Sequence, residues 1–80
     1  MPVYQRRPTL IEAVRWFPPG DERHQPHQAV ERGPREDHPW GLMTASGFAC
    51  IQPGDWIIRS TTGEHYPCNP DVFAATFEAV

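Results

Sequence analysis

Residues 52–59 read QPGDWIIR, and the fold turns on how this octapeptide is taken. Pro53 and Gly54 suit the two central positions of a type II turn, the first because its φ is held at about −65°, the second because it tolerates positive φ. The chain therefore corners between Gln52 and Asp55. Asp55 is placed to bond backbone amides there, and one glycine before a strand has neither the Walker nor the Rossmann spacing of a phosphate loop. The next four residues, Trp-Ile-Ile-Arg, are aromatic, β-branched and cationic, the composition of a short strand.

Toward the C-terminus, Thr61-Thr62-Gly63 reads as a turn and EHYPC (residues 64–68) as a strand pairing back on WIIR. A four-residue turn over residues 60–63 places Arg59 opposite Glu64, Ile58 opposite His65 and Ile57 opposite Tyr66. Asn69-Pro70-Asp71 then gives an N-cap, a proline at the first helical position and an acid in the first turn, which predicts a short helix over residues 70–75. The ending TFEAV is β-branched and aromatic and suits a last strand. Toward the N-terminus, LMTA, Ser46-Gly47 and FACIQ read as a β-hairpin.

Residues 9–17, TLIEAVRWF, form a further strand, which a preceding proline does not disturb. Alternation puts Leu10, Glu12, Val14 and Trp16 on one face and Thr9, Ile11, Ala13, Arg15 and Phe17 on the other, so neither face is wholly polar. A strand apolar on both sides is central or covered twice, which suggests a rolled sheet or a subunit interface. Between them, residues 18–39 hold five prolines, two glycines and eight charges, and read as a flexible Pro-rich loop; its centre, HQAVER, forms at most one helical turn. The expected fold is mainly β (α+β): a small antiparallel, partly rolled sheet of about five or six strands with one short C-terminal helix.

The 80 residues allow one domain. Folding a chain of this size buries only ~63% of its unfolded surface, so the core is thin and a homo-oligomer, most simply a two-fold dimer, is expected. A net charge of −3, with all seven cations arginine, argues against general nucleic-acid binding. The chain has no apolar run that would span a bilayer and no signal-like segment near Met1, so no membrane association and a cytoplasmic location are expected. Cys50 and Cys68 form no CxxC motif and read as buried free thiols, with a bridge as the alternative if neighbouring strands bring them together.

The ordered set PGDWII (53–58) and GEHYPCNPDVFAATFE (63–78), with RRPTLIEAVRW before it, resembles a family of small proteins of unassigned activity encoded by bacteriophages and prophages. Residues 18–39 depart from the family pattern, in which that region is more helical. The resemblance implies a phage or prophage origin and a host-cytoplasmic location, and it carries over no activity.

Chemistry has to come from the residues themselves. His24, His27 and His38 lie in the polar segment, but Pro26 interrupts the first pair and solvated loop histidines are favoured over a metal site. No local Ser-His-Asp or Cys-His motif points to an enzyme, and no cofactor is expected. Arginine beside aromatic rings is the most suggestive pattern: Arg15 adjoins Trp16, Arg59 follows Trp56, Tyr66 stands on the neighbouring strand, and Arg6 and Arg7 precede the first strand. A guanidinium fork binds phosphate and a ring stacks on a base, so these residues would hold a small anionic, nucleotide-like ligand. The competing interpretation makes Trp16, Trp56, Phe73 and Phe77 core, pairs Arg59 with Glu64, and lays Arg15 over an aromatic edge. The expected function is non-catalytic sequestration of a nucleotide-like signal of host defence. The alternatives are a module that inhibits or redirects a host protein, with Trp40 and the flexible segment as contact surface, and a minor virion component.

Overall fold

The corner at residues 52–55 closes as its residues require. The Asp55 amide donates to the Gln52 carbonyl at 3.0 Å, Gly54 has φ 89°, and the Asp55 carboxylate accepts from the Gln52 amide at 3.0 Å. The computed structural model describes residues 2–4 and 9–79. Its elements, in chain order, are β1 (Glu12–Arg15), β2 (Val30–Arg32), β3 (Trp40–Thr44), β4 (Gly47–Cys50), β5 (Trp56–Arg59), β6 (His65–Cys68) and α1 (Pro70–Thr76). The strands form two open, wholly antiparallel three-stranded sheets, ordered β1-β5-β6 and β2-β3-β4. The mainly β architecture with one short helix is the expected one, divided into two sheets.

Alternation along β5 explains how the layers stack. Ile57 joins Trp16, Leu42 and Ile51 in a core shared by the two sheets, with Val30 and Trp40 packed against it. Trp56 points to the opposite face, where its ring stacks on Phe73 of α1 at 4.0 Å and an interplanar angle of 6°. Ile57 and Ile58 are 2% and 0% exposed, so the doubly covered strand is β5. The expectation that residues 9–17 make such a strand is corrected: β1 is an edge, Leu10 is 71% and Val14 43% exposed, and only Trp16 enters the core.

The β5–β6 register also differs by one residue from the expected one. The loop spans residues 60–64, closed by Ser60 donating to the Glu64 carbonyl at 2.9 Å, so Arg59 faces His65, Ile58 faces Tyr66 and Ile57 faces Pro67. This register puts Pro67 rather than Tyr66 opposite the core residue Ile57, leaving the tyrosine on the Trp56 face. In the β3–β4 hairpin, Thr44 pairs with Gly47 and the two-residue turn is Ala45-Ser46, one position earlier than expected.

Residues 18–39 are not structureless. Pro18-Pro19-Gly20-Asp21 repeats the Pro-Gly-Asp grammar of the later corner, with Gly20 at φ 98° and the Asp21 amide donating to Pro18 at 3.1 Å. HQAVER makes one turn, closed by the Val30 amide donating to the His27 carbonyl at 3.1 Å, and then extends into β2, which places Val30 opposite Leu42 and against the core. Gly33 donates to the Pro39 carbonyl at 2.7 Å and closes the β2–β3 connection.

Helix α1 begins as expected: the Asn69 side chain accepts from the Val72 amide at 2.8 Å and Pro70 opens the first turn. It runs to Thr76, and the Phe77 amide still donates to Phe73 at 2.9 Å. Residues 77–79 form no strand, which corrects the expected TFEAV strand. Phe73 and Phe77, four apart, keep their rings 5.3 Å from one another, a contact that helical spacing creates and strand spacing would undo.

Gly41 in β3 has no room for a side chain, since a Cβ would meet the Ala49 carbonyl and the Phe48 ring. Gly41→Ala should therefore lower stability by about 1–3 kcal/mol in a denaturant titration, as overpacking against backbone does. Asn69→Ala should cost about 1 kcal/mol through loss of the cap. Wild-type stability in either variant would contradict the corresponding contact.

Candidate functional site

Strand pairing divides the arginine and aromatic residues expected to form a site. Arg15 pairs with Trp56, and Ile58 with Tyr66, which puts Arg15, Trp56 and Tyr66 on the face that carries α1. Glu12 pairs with Arg59 on the other face, the one on which Trp16 enters the core. Arg15 and Arg59 therefore do not converge. Arg6 and Arg7 lie outside the described residues.

Each arginine is engaged in its own way. Arg59 bonds Glu12 at 3.1 Å instead of the expected Glu64, in an exposed pair beside an open hollow of about 320 Å³ lined by Leu10, Ile11, Ser60 and Thr61. The Glu12 carboxylate there opposes any anionic ligand. Arg15 donates through Nε to the Gly54 carbonyl at 3.1 Å and lies 5.5 Å from the Phe17 ring centroid and 6.0 Å from that of Trp56, which is the aromatic-edge arrangement. Arg23 forms a two-pronged bond to Asp21 and covers Phe17 at 3.9 Å; its guanidinium lowers the Asp21 carboxyl to about 2. Arg35 engages Asp37 in the same way. Among the described residues, Arg15 and Arg32 are the arginines without a carboxylate partner, and Arg32 lies 5.4 Å from the Trp40 ring centroid.

A second cavity, of about 190 Å³, is walled by Trp16 and Trp40 from the two sheets and by Pro19, Pro26 and Val30 from the returning polar segment. His24 and His27 complete its lining. The tryptophan rings are 6.5 Å apart and inclined at 56°, so the floor is aromatic. Trp40 is thus half-buried against the core. His24 donates from Nδ1 to the Phe17 carbonyl at 2.7 Å, because a carbonyl can only accept. His27 does the reverse: its Nδ1 accepts from the Ala29 amide at 3.1 Å, so its proton sits on Nε2. The His65 ring of β6 stands edge-on to His27 at 5.5 Å.

Sequence reasoning placed His24 and His27 in a solvated loop. The signal that would have brought them to the core is the PPGD turn, which sends the segment back across Trp16. The described residues contain no cluster of three or more metal-ligating side chains. Cys50 and Cys68 are free, and burial followed by the nearby Asp55 charge raises the Cys68 thiol, which disfavours a reactive thiolate. No helix among the described residues is long and apolar enough to cross a membrane.

The fold and cavity together define a small two-sheet β protein with a ring-sized, half-open hollow edged by tryptophan, proline and histidine. No family model matches the chain, and neither the curated proteins nor the solved structures contain a match to it.

Burial first, and the neighbouring His65 second, lower the His27 pKa below its ordinary 6.5. A depressed folded value means the neutral ring stabilises the fold above the unfolded pKa, and that this contribution is lost as pH falls through the folded pKa. In an NMR titration His27 should have its midpoint below 6.5, and His65→Gln should move it upward. A midpoint at or above 6.5 would contradict the packing of this pair.

Proposed function

We propose that this protein binds and sequesters a small nucleotide-like molecule without transforming it. The observation that supports this reading is the hollow lined by Trp16 and Trp40, which exists because residues 18–30 fold back over the junction of the sheets. Trp40, half-buried, offers stacking surface to a planar ring, and the buried Trp16 ring backs it. Arg32, over the Trp40 ring and without a carboxylate partner, is the cation best placed to meet an anionic substituent. The proposed site thus keeps Trp16 of the expected set and replaces Arg15, Arg59, Trp56 and Tyr66 with Trp40 and Arg32. Histidines whose Nδ1 atoms are held by backbone, and a thiol with a raised pKa, suit binding better than nucleophilic catalysis.

A host-defence signal as ligand and the host cytoplasm as setting are part of the same proposal and rest on the phage-family resemblance. A two-fold dimer, expected from the thin core, belongs to the same proposal, and the edge of β1, which has no partner among the described residues and leaves Leu10 and Val14 exposed, offers a surface for it. That edge also favours the second reading, in which an extended segment of a host protein adds to the sheet.

Calorimetric titration with linear and cyclic nucleotides should show binding to the wild type. Arg32→Ala should weaken a phosphorylated ligand by about tenfold, the loss of one charge-assisted hydrogen bond, and leave the unphosphorylated nucleoside nearly unaffected. Absence of binding by every nucleotide would defeat the sequestration reading and favour the protein-interaction one.

A further inference from the structure

The two histidines of the cavity present complementary hydrogen-bonding groups. His24 spends its Nδ1 proton on the Phe17 carbonyl, so the neutral ring has an Nε2 lone pair, an acceptor. His27 receives the Ala29 amide at Nδ1, so its Nε2 carries hydrogen, a donor. Neither Nε2 has a hydrogen-bond partner among the described residues, and no polar side-chain atom described there is both fully buried and unpaired. These nitrogens are therefore open to solvent or a ligand. The backbone assigns both tautomers in advance, so a ligand would not have to reorganise them.

We infer that the cavity takes an uncharged planar ring with a lactam-type edge, an N–H beside a C=O, as in a uracil-like nucleobase. The ring N–H donates to His24 Nε2, the carbonyl accepts from His27 Nε2–H, and one ring face meets Trp40, the tryptophan that keeps exposed surface, with Trp16 as the wall behind it. A half-open hollow of about 190 Å³ has room for such a ring, since an enclosed cavity of about 150 Å³ already holds benzene. The same contacts argue against a metal at His27: ligation through Nε2 would put the proton on Nδ1, facing the Ala29 N–H. This inference rests on the small-ligand reading above and specifies the ring that the site selects.

The test compares uracil, 1,3-dimethyluracil and toluene at pH 8 by ligand-observed NMR. The structure predicts that uracil binds, that dimethyluracil binds about tenfold or more weakly because methylation removes the N–H, and that His24→Phe abolishes the difference. Imidazole nitrogen spectra of the wild type test the same point without a substitution: uracil should shift the Nε2 signals of His24 and His27 and not that of His38. Equal affinities for uracil and dimethyluracil, or binding of toluene but not uracil, would overturn the lactam inference and leave a ring pocket standing. Failure of all three to bind would overturn the inference together with the Trp16–Trp40 pocket reading.

Discussion

Trp16 is only 2% exposed, and its burial is the contact on which the rest of the structure depends. Its amide donates to the Asp55 carbonyl at 2.7 Å and its carbonyl accepts from the Gly54 amide at 2.8 Å, which extends the β1–β5 pairing into the PGD corner. Its ring meets Trp40 of the other sheet and shares the core with Leu42, Ile51 and Ile57. Removing a buried aromatic side chain typically costs about 3–5 kcal/mol, while a whole domain is stable by only about 5–15 kcal/mol. In a core this small, one tryptophan decides whether the two sheets form one unit. The same ring is a wall of the cavity, so stability and binding share a residue.

Charge is arranged locally. Asp21 with Arg23 and Asp37 with Arg35 are partners two residues apart, so each polar turn neutralises itself. The Arg59–Glu12 pair spans two strands but is exposed, where such pairs contribute about 1 kcal/mol at most. These pairs leave Arg15 and Arg32 over aromatic rings, and only Arg32 lies over a ring of the cavity. Hence Arg32 has a place in the proposed function, and the more conspicuous Arg59 does not.

The legible parts of the fold were those set by local chemistry. The PGD corner, the WIIR strand, the Asn69 cap and the hairpin before Gln52 each follow from residues adjacent in sequence. Reading failed where distant contacts decide. Strand alternation reveals that a strand has two apolar faces but not which neighbours cover them, so residues 9–17 seemed central while β5 held that place. The β5–β6 register slipped because a five-residue loop and a four-residue turn fit the same sequence, and only the position of Pro67 opposite Ile57 separates them. Composition made residues 18–39 read as loop. Val30, opposite Leu42, is the one residue of β2 packed against the core, and a single apolar residue is too weak a pattern to read. The cavity was therefore invisible, although its turn repeats a Pro-Gly-Asp sequence already recognised at residues 53–55.

The central claim is that the proline-rich segment is a packed part of the fold and forms one side of the hollow at Trp16. Amide hydrogen exchange tests it most directly. Protection is expected at Val30, whose amide donates to His27 at 3.1 Å, at Gly33 and at His24, whose amide donates to Asp21 at 3.0 Å. Exchange at unfolded-chain rates across all three, with β3 and β5 still protected, would contradict the account.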